Sequence, residues 1–148
     1  MDDGGEDSRE IRILISTGDR TIGDYMAAIA ADAYKEAGTV TPIFAETNRE
    51  SDLLELAARE PFDVAVVVLN NLVYPLGKRD IEHLQNDAVA FVETMVSRFG
   101  RPLIAFDGFV RTEAFADRVI RAGAAAFFPM PCEPEAIRNA FRECLDGR

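Results

Sequence analysis

Hydrophobic and polar positions along the chain follow two alternating periods. A short apolar run is followed, each time, by a longer segment whose apolar residues recur every three or four positions. The first pair is a strand, Ile11–Ser16, and a helix that the pattern opens at Thr21, with Asp24 three residues on as a capping-box partner. That helix carries Ile22, Met26, Ile29 and Ala33 on one face and is predicted to stop at Gly38. The second pair is Val40–Ala45 and a helix from near Ser51 to just before Pro61. The third strand, Phe62–Leu69, is the most continuous apolar run, bounded by Glu60-Pro61 and by Asn70-Asn71. It does not alternate, so both its faces are expected to be covered, which marks the centre of a parallel sheet. A long connection, Asn71 to Lys78, leads to the longest helical stripe: Ile81, Leu84, Ala88, Val92, Met95, Val96 and Phe99. Gly100 ends it. Pro102–Phe106 is the fourth strand, followed by Asp107-Gly108-Phe109-Val110 and a helix capped by Thr112 that uses Phe115, Val119 and Ile120 and stops at Gly123. Ala124–Phe128 is the fifth strand. Pro134 at a first helical position opens the last helix, with Ile137, Ala140, Phe141, Cys144 and Leu145 facing inward.

Strict alternation of strand and helix predicts a parallel sheet between two helical layers. Pro42 inside strand two selects the strand order. Proline cannot donate to a ladder and is confined to edges, ends or bulges, and strand two is an edge in the flavodoxin-like order 2-1-3-4-5 but is buried in the order 3-2-1-4-5-6. The expected architecture is therefore a three-layer α/β (βα)5 domain, flavodoxin-like, with a long third helix. Residues 1–10 read as a disordered acidic leader and 11–148 as one domain.

Composition narrows the function classes. The 148 residues are 48% hydrophobic and 28% charged, as in ordinary globular proteins. No run reaches the roughly 18 apolar residues that a membrane span needs, and Met1-Asp2-Asp3-Gly4-Gly5-Glu6 has no apolar segment of the signal-peptide kind. A net charge of −10, with 16 basic residues scattered along the chain, argues against nucleic acid, whose phosphates call for clustered Lys and Arg. The two cysteines, Cys132 and Cys144, fall in the predicted last helix, roughly 18 Å apart at 1.5 Å per residue. They are then too distant for a disulfide, and a reducing cytoplasm is the expected compartment.

In open α/β sheets, sites gather at the carboxyl ends of the strands. Thr17, Gly18 and Asp19 follow strand one, Asn70 and Asn71 strand three, Asp107 and Gly108 strand four, and Met130 and Pro131 strand five. With strands 1, 3 and 4 adjacent, Asp19, Asn70 and Asp107 are expected to approach one another. Two carboxylates, Asp19 and Asp107, with amide oxygens beside them, could hold a hard cation such as Mg²⁺. Equally, Asp19 suits the start of a helix and Asp107-Gly108 suits a turn.

Three resemblances bear on function. The segment from Ala122 to Glu135, Ala-Gly-Ala-Ala-Ala-Phe-Phe-Pro-Met-Pro-Cys-Glu-Pro-Glu, resembles the end of the receiver domains of two-component response regulators, as do Pro61-Phe62-Asp63 before an apolar strand and the spacing of the five units. The resemblance implies that the family's acidic pair falls on Thr17 and Gly18, its phosphoacceptor Asp on Val68 (or on Asn70 in another register), its Thr or Ser on Asp107, and its Lys on Met130, ahead of Pro131. Phe127 matches the family's switch aromatic. A receiver of this composition is degenerate and cannot run phosphotransfer. Gly18-Asp19-Arg20-Thr21-Ile22-Gly23 is similar to the motif after strand one of cobalamin-binding domains, without the cobalt-ligating His; the only histidine is His83 in the long helix. A fainter likeness to the SGNH hydrolases places Arg20 where the nucleophile would stand.

The expected function is a phosphorylation-independent, receiver-like regulatory module that binds a protein partner or itself through the face from strand four to helix five, where Phe109 and Val110 are apolar. The alternative is a small-ligand (corrinoid-like or nucleotide) binding or sensor domain of the cobalamin-binding type, without the cobalt-ligating His, with the connection from Asn71 to Lys78 as a lid. Neither needs a resident cofactor. An enzyme using Asp19 and Asp107 would lack a partner nucleophile.

Overall fold

A computed structural model describes residues 9–72, 81–108 and 113–146, with Ile81 and Asp146 as backbone only. The chain runs β1 (Glu10–Ser16), α1 (Arg20–Ala33), β2 (Thr39–Phe44), α2 (Glu50–Arg59), β3 (Val64–Val68), a 3₁₀ turn (Leu69–Asn71), α3 (Ile81–Phe99), β4 (Leu103–Asp107), α4 (Glu113–Arg121), β5 (Ala126–Pro129) and α5 (Pro134–Asp146). All pairings are parallel and the order is β2-β1-β3-β4-β5, the flavodoxin-like arrangement. The expected leader lies largely outside the described residues, as do Tyr74, Lys78, Phe109, Val110 and Thr112. No helix among the described residues is long and apolar enough to cross a membrane.

The sheet separates two cores, and β3 feeds both. Val64, Val66 and Val68 join Ile11, Ile13, Ile15, Ile104 and Phe106 beneath α1 and α5. Ala65 and Val67 join Leu14, Leu103 and Ala105 beneath α2, α3 and α4. Every residue of β3 is buried. That two-sided burial is why the strand reads as a continuous apolar run.

Pro42 sits on the outer strand β2 and is exposed. Thr39 N donates to Arg9 O at 2.8 Å and Ala45 N to Ile15 O at 2.9 Å, so the odd-numbered amides of β2 face β1. Position 42 is out of phase with them, and its nitrogen faces away from the sheet. The proline thus removes no ladder bond.

Two contacts lock the layers. At the amino edge Arg12 and Asp63 are joined by two hydrogen bonds, one through the Asp63 carboxylate and one between backbones. Asp63 Oδ2 accepts from Arg12 N at 2.9 Å, and Asp63 N donates to Arg12 O at 2.8 Å. The Arg12 side chain then reaches Pro61 O at 2.6 Å and Glu60 at 2.9 Å. The Pro61-Phe62-Asp63 motif is therefore a splice between β1 and the entry to β3. Between α1 and α5, the buried Tyr34 hydroxyl donates to Phe141 O, and the two rings meet edge-on at 5.7 Å.

The structure moves several predicted boundaries. Helix α1 begins one residue earlier than Thr21 because Asp19 is its N-cap, accepting from Thr21 N at 2.7 Å and Ile22 N at 3.3 Å. Asp24 instead pairs with Arg20 at 3.0 Å. The same helix stops at Ala33, with Tyr34 as its C-cap, rather than running to Gly38. Cys132 precedes α5 instead of lying within it, and neither cysteine is in a disulfide.

Candidate functional site at the carboxyl edge

The strand ends place most of the predicted residues within one set of loops. β1 closes on Ser16 and Thr17, both buried, and Gly18 then turns the chain with φ +75°, a left-handed conformation that glycine adopts without steric cost. β3 passes into the 3₁₀ turn, which aims its two asparagines at different neighbours. Asn71 Nδ2 donates to Thr17 O at 2.6 Å. Its packing over Gly18 is close: a Cβ at position 18 would lie 2.8 Å from Asn71 Cβ. Asn70 points the other way, its Oδ1 accepting from Gly108 N at 2.9 Å. The loop after β2 joins the group through Asn48, whose Nδ2 donates to Asn71 O at 2.8 Å. Met130 N donates to Asp107 O at 3.2 Å, closing the β4–β5 side, and the Met130-Pro131 peptide is cis.

The predicted set therefore divides in two. Thr17, Gly18 and Asn71 form one cluster between β1 and β3, while Asn70 and the Asp107-Gly108 turn form another between β3 and β4. Asp19 stands at the start of α1, where its carboxylate satisfies backbone amides that the helix leaves without partners. Asp107 is 4% exposed and engaged with its surroundings. Among the described residues, no three His, Cys, Asp or Glu side chains gather as a set that could hold a metal ion.

The crevice between β1 and β3 is the topological switch point, where the two halves of the sheet diverge. Asn71 fills it. An open cleft of about 310 Å³ lies instead one strand outward, between the ends of β1 and β2. Thr17, Gly18 and Asp19 form one wall and Phe44 to Asn48 the other. The Arg20 guanidinium lies 3.8 Å from the centre of the Phe44 ring, a cation–π contact that fixes that wall. Asn48 and Phe44 are residues the sequence reading missed, and Arg20 stood in it only at the end of strand one, in a nucleophile's place. Only the position of Asn48, a polar residue just past a predicted strand end, could have suggested it.

At the receiver-equivalent positions, Val68 is 2% exposed within the α1/α5 core. Phe127 is half-buried and meets the Phe115 ring edge-on at 5.7 Å. The Met130 side chain packs against the same core as Val68.

No protein-family model and no curated protein sequence matches this chain. Solved structures do. The chain is similar to a two-component response regulator from Clostridium difficile, with TM-score 0.68 at 10% identity, covering 92% of this chain and 96% of that one. A CheY-like response regulator receiver domain protein from Methanospirillum hungatei matches with TM-score 0.65 at 21% identity, over 94% and 96% of the two chains. An orphan response regulator of H. pylori, HP1043, matches with TM-score 0.63 at 13% identity, over 91% and 96%. The fold is that of receiver domains.

Proposed function

We propose that this domain is a regulatory, protein-interaction module of the receiver type whose output does not depend on phosphotransfer. The observation that carries the reading is Val68. It stands at the end of β3, where the resemblance places the phosphoacceptor, and it is an apolar side chain buried at 2% exposure in the α1/α5 core. A phosphoryl group needs a nucleophilic oxygen to receive it, and valine has none. The other register supports the same reading, because Asn70 is a neutral amide whose oxygen is already held by Gly108 N. Met130 supplies no cation to meet a phosphoryl oxygen.

Without that input, such a domain acts through its surface. The face of β4, α4, β5 and α5 keeps the receiver pattern most closely, and Ile120 on α4 is 45% exposed there. A partner or a second copy of the chain would use this face. Partners are protein rather than nucleic acid, given a net charge of −10.

The test is incubation with acetyl phosphate and Mg²⁺, read by intact mass. The expected result is an unmodified chain, and beryllofluoride with Mg²⁺ is expected to leave the amide spectrum of the strand ends unchanged. A phosphoryl adduct that appears only with Mg²⁺ overturns the reading.

A further inference from the structure

We propose that the cleft between the ends of β1 and β2 is a binding site for a small organic cation, coupled through Asn48 to the β3 turn. This rests on the reading that the domain takes its input from something other than a phosphoryl group.

Geometry locates the site. The usual ligand position of an open α/β sheet is the switch-point crevice. Here Asn71 blocks it, hydrogen-bonded to Thr17 O at 2.6 Å and packed against Gly18. The adjacent cleft remains open at about 310 Å³, near the lower end of the ~300–1,000 Å³ typical of ligand sites. It has an apolar floor at Ile15 and Phe44 beneath a polar rim, and its walls are fixed before anything enters. Gly23 lets α1 approach so closely that a Cβ there would come within 3.2 Å of the Phe44 ring. The guanidinium of Arg20 is held on that ring at 3.8 Å.

Charge decides the class of ligand. The start of α1 would attract an anion, but Asp19 already occupies it, accepting from Thr21 N and Ile22 N. Arg20 is neutralised by Asp24 at 3.0 Å. The remaining carboxylate of the rim is Glu46, which makes no ion pair or side-chain hydrogen bond among the described residues. A neighbouring depression of about 200 Å³ that shares Glu46 and Thr47 adds Asp52 and Glu55 against one cation, Arg59. An ammonium group finds acceptors here, and the carboxylates of the two linings, Asp19, Glu46, Asp52 and Glu55, outnumber Arg20 and Arg59, which disfavours a phosphate or carboxylate. The size admits a diamine, an amino-acid amide or a small aromatic amine.

Coupling follows from one shared residue. Asn48 lines the cleft, and its Nδ2 holds Asn71 O at 2.8 Å. Asn71 is continuous with Asn70, which holds Gly108 N on the far side of β3. A ligand that reorients Asn48 therefore acts on the loop after β4.

The experiment is a titration of the ¹⁵N-labelled chain with putrescine and tyramine, against inorganic phosphate at equal ionic strength. Saturable shifts are expected at the amides of residues 17–20 and 45–48 with at least one amine, and none there with phosphate. Glu46→Gln is expected to weaken binding about threefold, as befits an exposed charge pair. In the wild type the Gly108 amide shifts along with the cleft, and in Asn48→Ala it no longer follows. Silence of the cleft toward both amines at low-millimolar concentration, non-saturating shifts over the whole acidic surface, or a response to phosphate instead each overturns the site. A Gly108 amide that still follows the cleft in Asn48→Ala overturns the coupling. Because phosphoryl uptake is measured separately, a phosphorylated chain would refute the premise whatever the cleft does.

Discussion

Replacing Gly18 with alanine should cost far more than its single methyl suggests. Two effects combine at this position. The backbone is left-handed, φ +75°, which penalises an L side chain by about 1–2 kcal/mol. The new Cβ would also stand 2.8 Å from Asn71 Cβ, a separation that real Cβ atoms essentially never show, so the 3₁₀ turn must shift. That shift sacrifices the Asn71–Thr17 hydrogen bond, worth about 0.5–1.5 kcal/mol net. The sum is about 1.5–3.5 kcal/mol, or a fall in Tm of about 3–14 °C for a chain of this size. Gly100→Ala is the internal control. Its φ is +64°, almost the same, but nothing lies within 4 Å of the added carbon, so only the backbone penalty applies, about 1–2 kcal/mol. Urea unfolding of both variants isolates the steric share. If Gly18→Ala proves no more destabilising than Gly100→Ala, Asn71 does not close the crevice, and the displacement of the open site toward β2 loses its basis.

Four further outcomes follow from the packing. Tyr34→Phe removes a buried hydroxyl and leaves Phe141 O without its donor, which should lower stability by about 1–2 kcal/mol in denaturant titration. Glu50→Gln should raise Tm at pH 7 and not at pH 4: burial and then the Asp87 charge raise the Glu50 pKa above 4.5, so stability present below that value is lost as pH rises and the carboxylate ionises. Burial, helped by Glu143, pushes the Cys144 thiol up to about 11 from 9.0. Thiol reagents at mild pH should therefore modify the half-buried Cys132 and reach Cys144 only on unfolding. Stability should also decline from about pH 9 to about pH 11, as the unfolded chain ionises a thiol that the folded chain keeps protonated.

The fold was legible because its determinants repeat. Two-sided burial of β3 wrote itself into consecutive apolar residues, and the exposed outer edge of β2 tolerated Pro42, which sufficed to choose the strand order. The cap of α1 was misread because Thr21 and Asp24 have the capping-box spacing, while the deciding fact is that Asp19 has extended backbone geometry with its carboxylate over two amides. The site was legible in address but not in content. Its working contacts join residues 23, 38 and 54 positions apart, and no local period records them. Which way each asparagine of the pair turns depends on the loops it meets. Arg20 looked like a residue in a nucleophile's place until Phe44 appeared beneath it.

An amide at a strand end can do something a carboxylate cannot. It offers a donor and an acceptor at once, so adjacent asparagines can tie loops on opposite sides without adding charge. Asn71 donates to Thr17 O while its backbone oxygen accepts from Asn48, and Asn70 accepts from Gly108 N. These bonds bridge the ends of β1, β2, β3 and β4, where a chain with a net charge of −10 would otherwise crowd further carboxylates together. The asparagine pair thus supplies a neutral scaffold for the edge. Val68 before it is apolar and belongs to the core, while the turn after it ties the loops. The opening at this edge lies in the cleft bordered by Asn48.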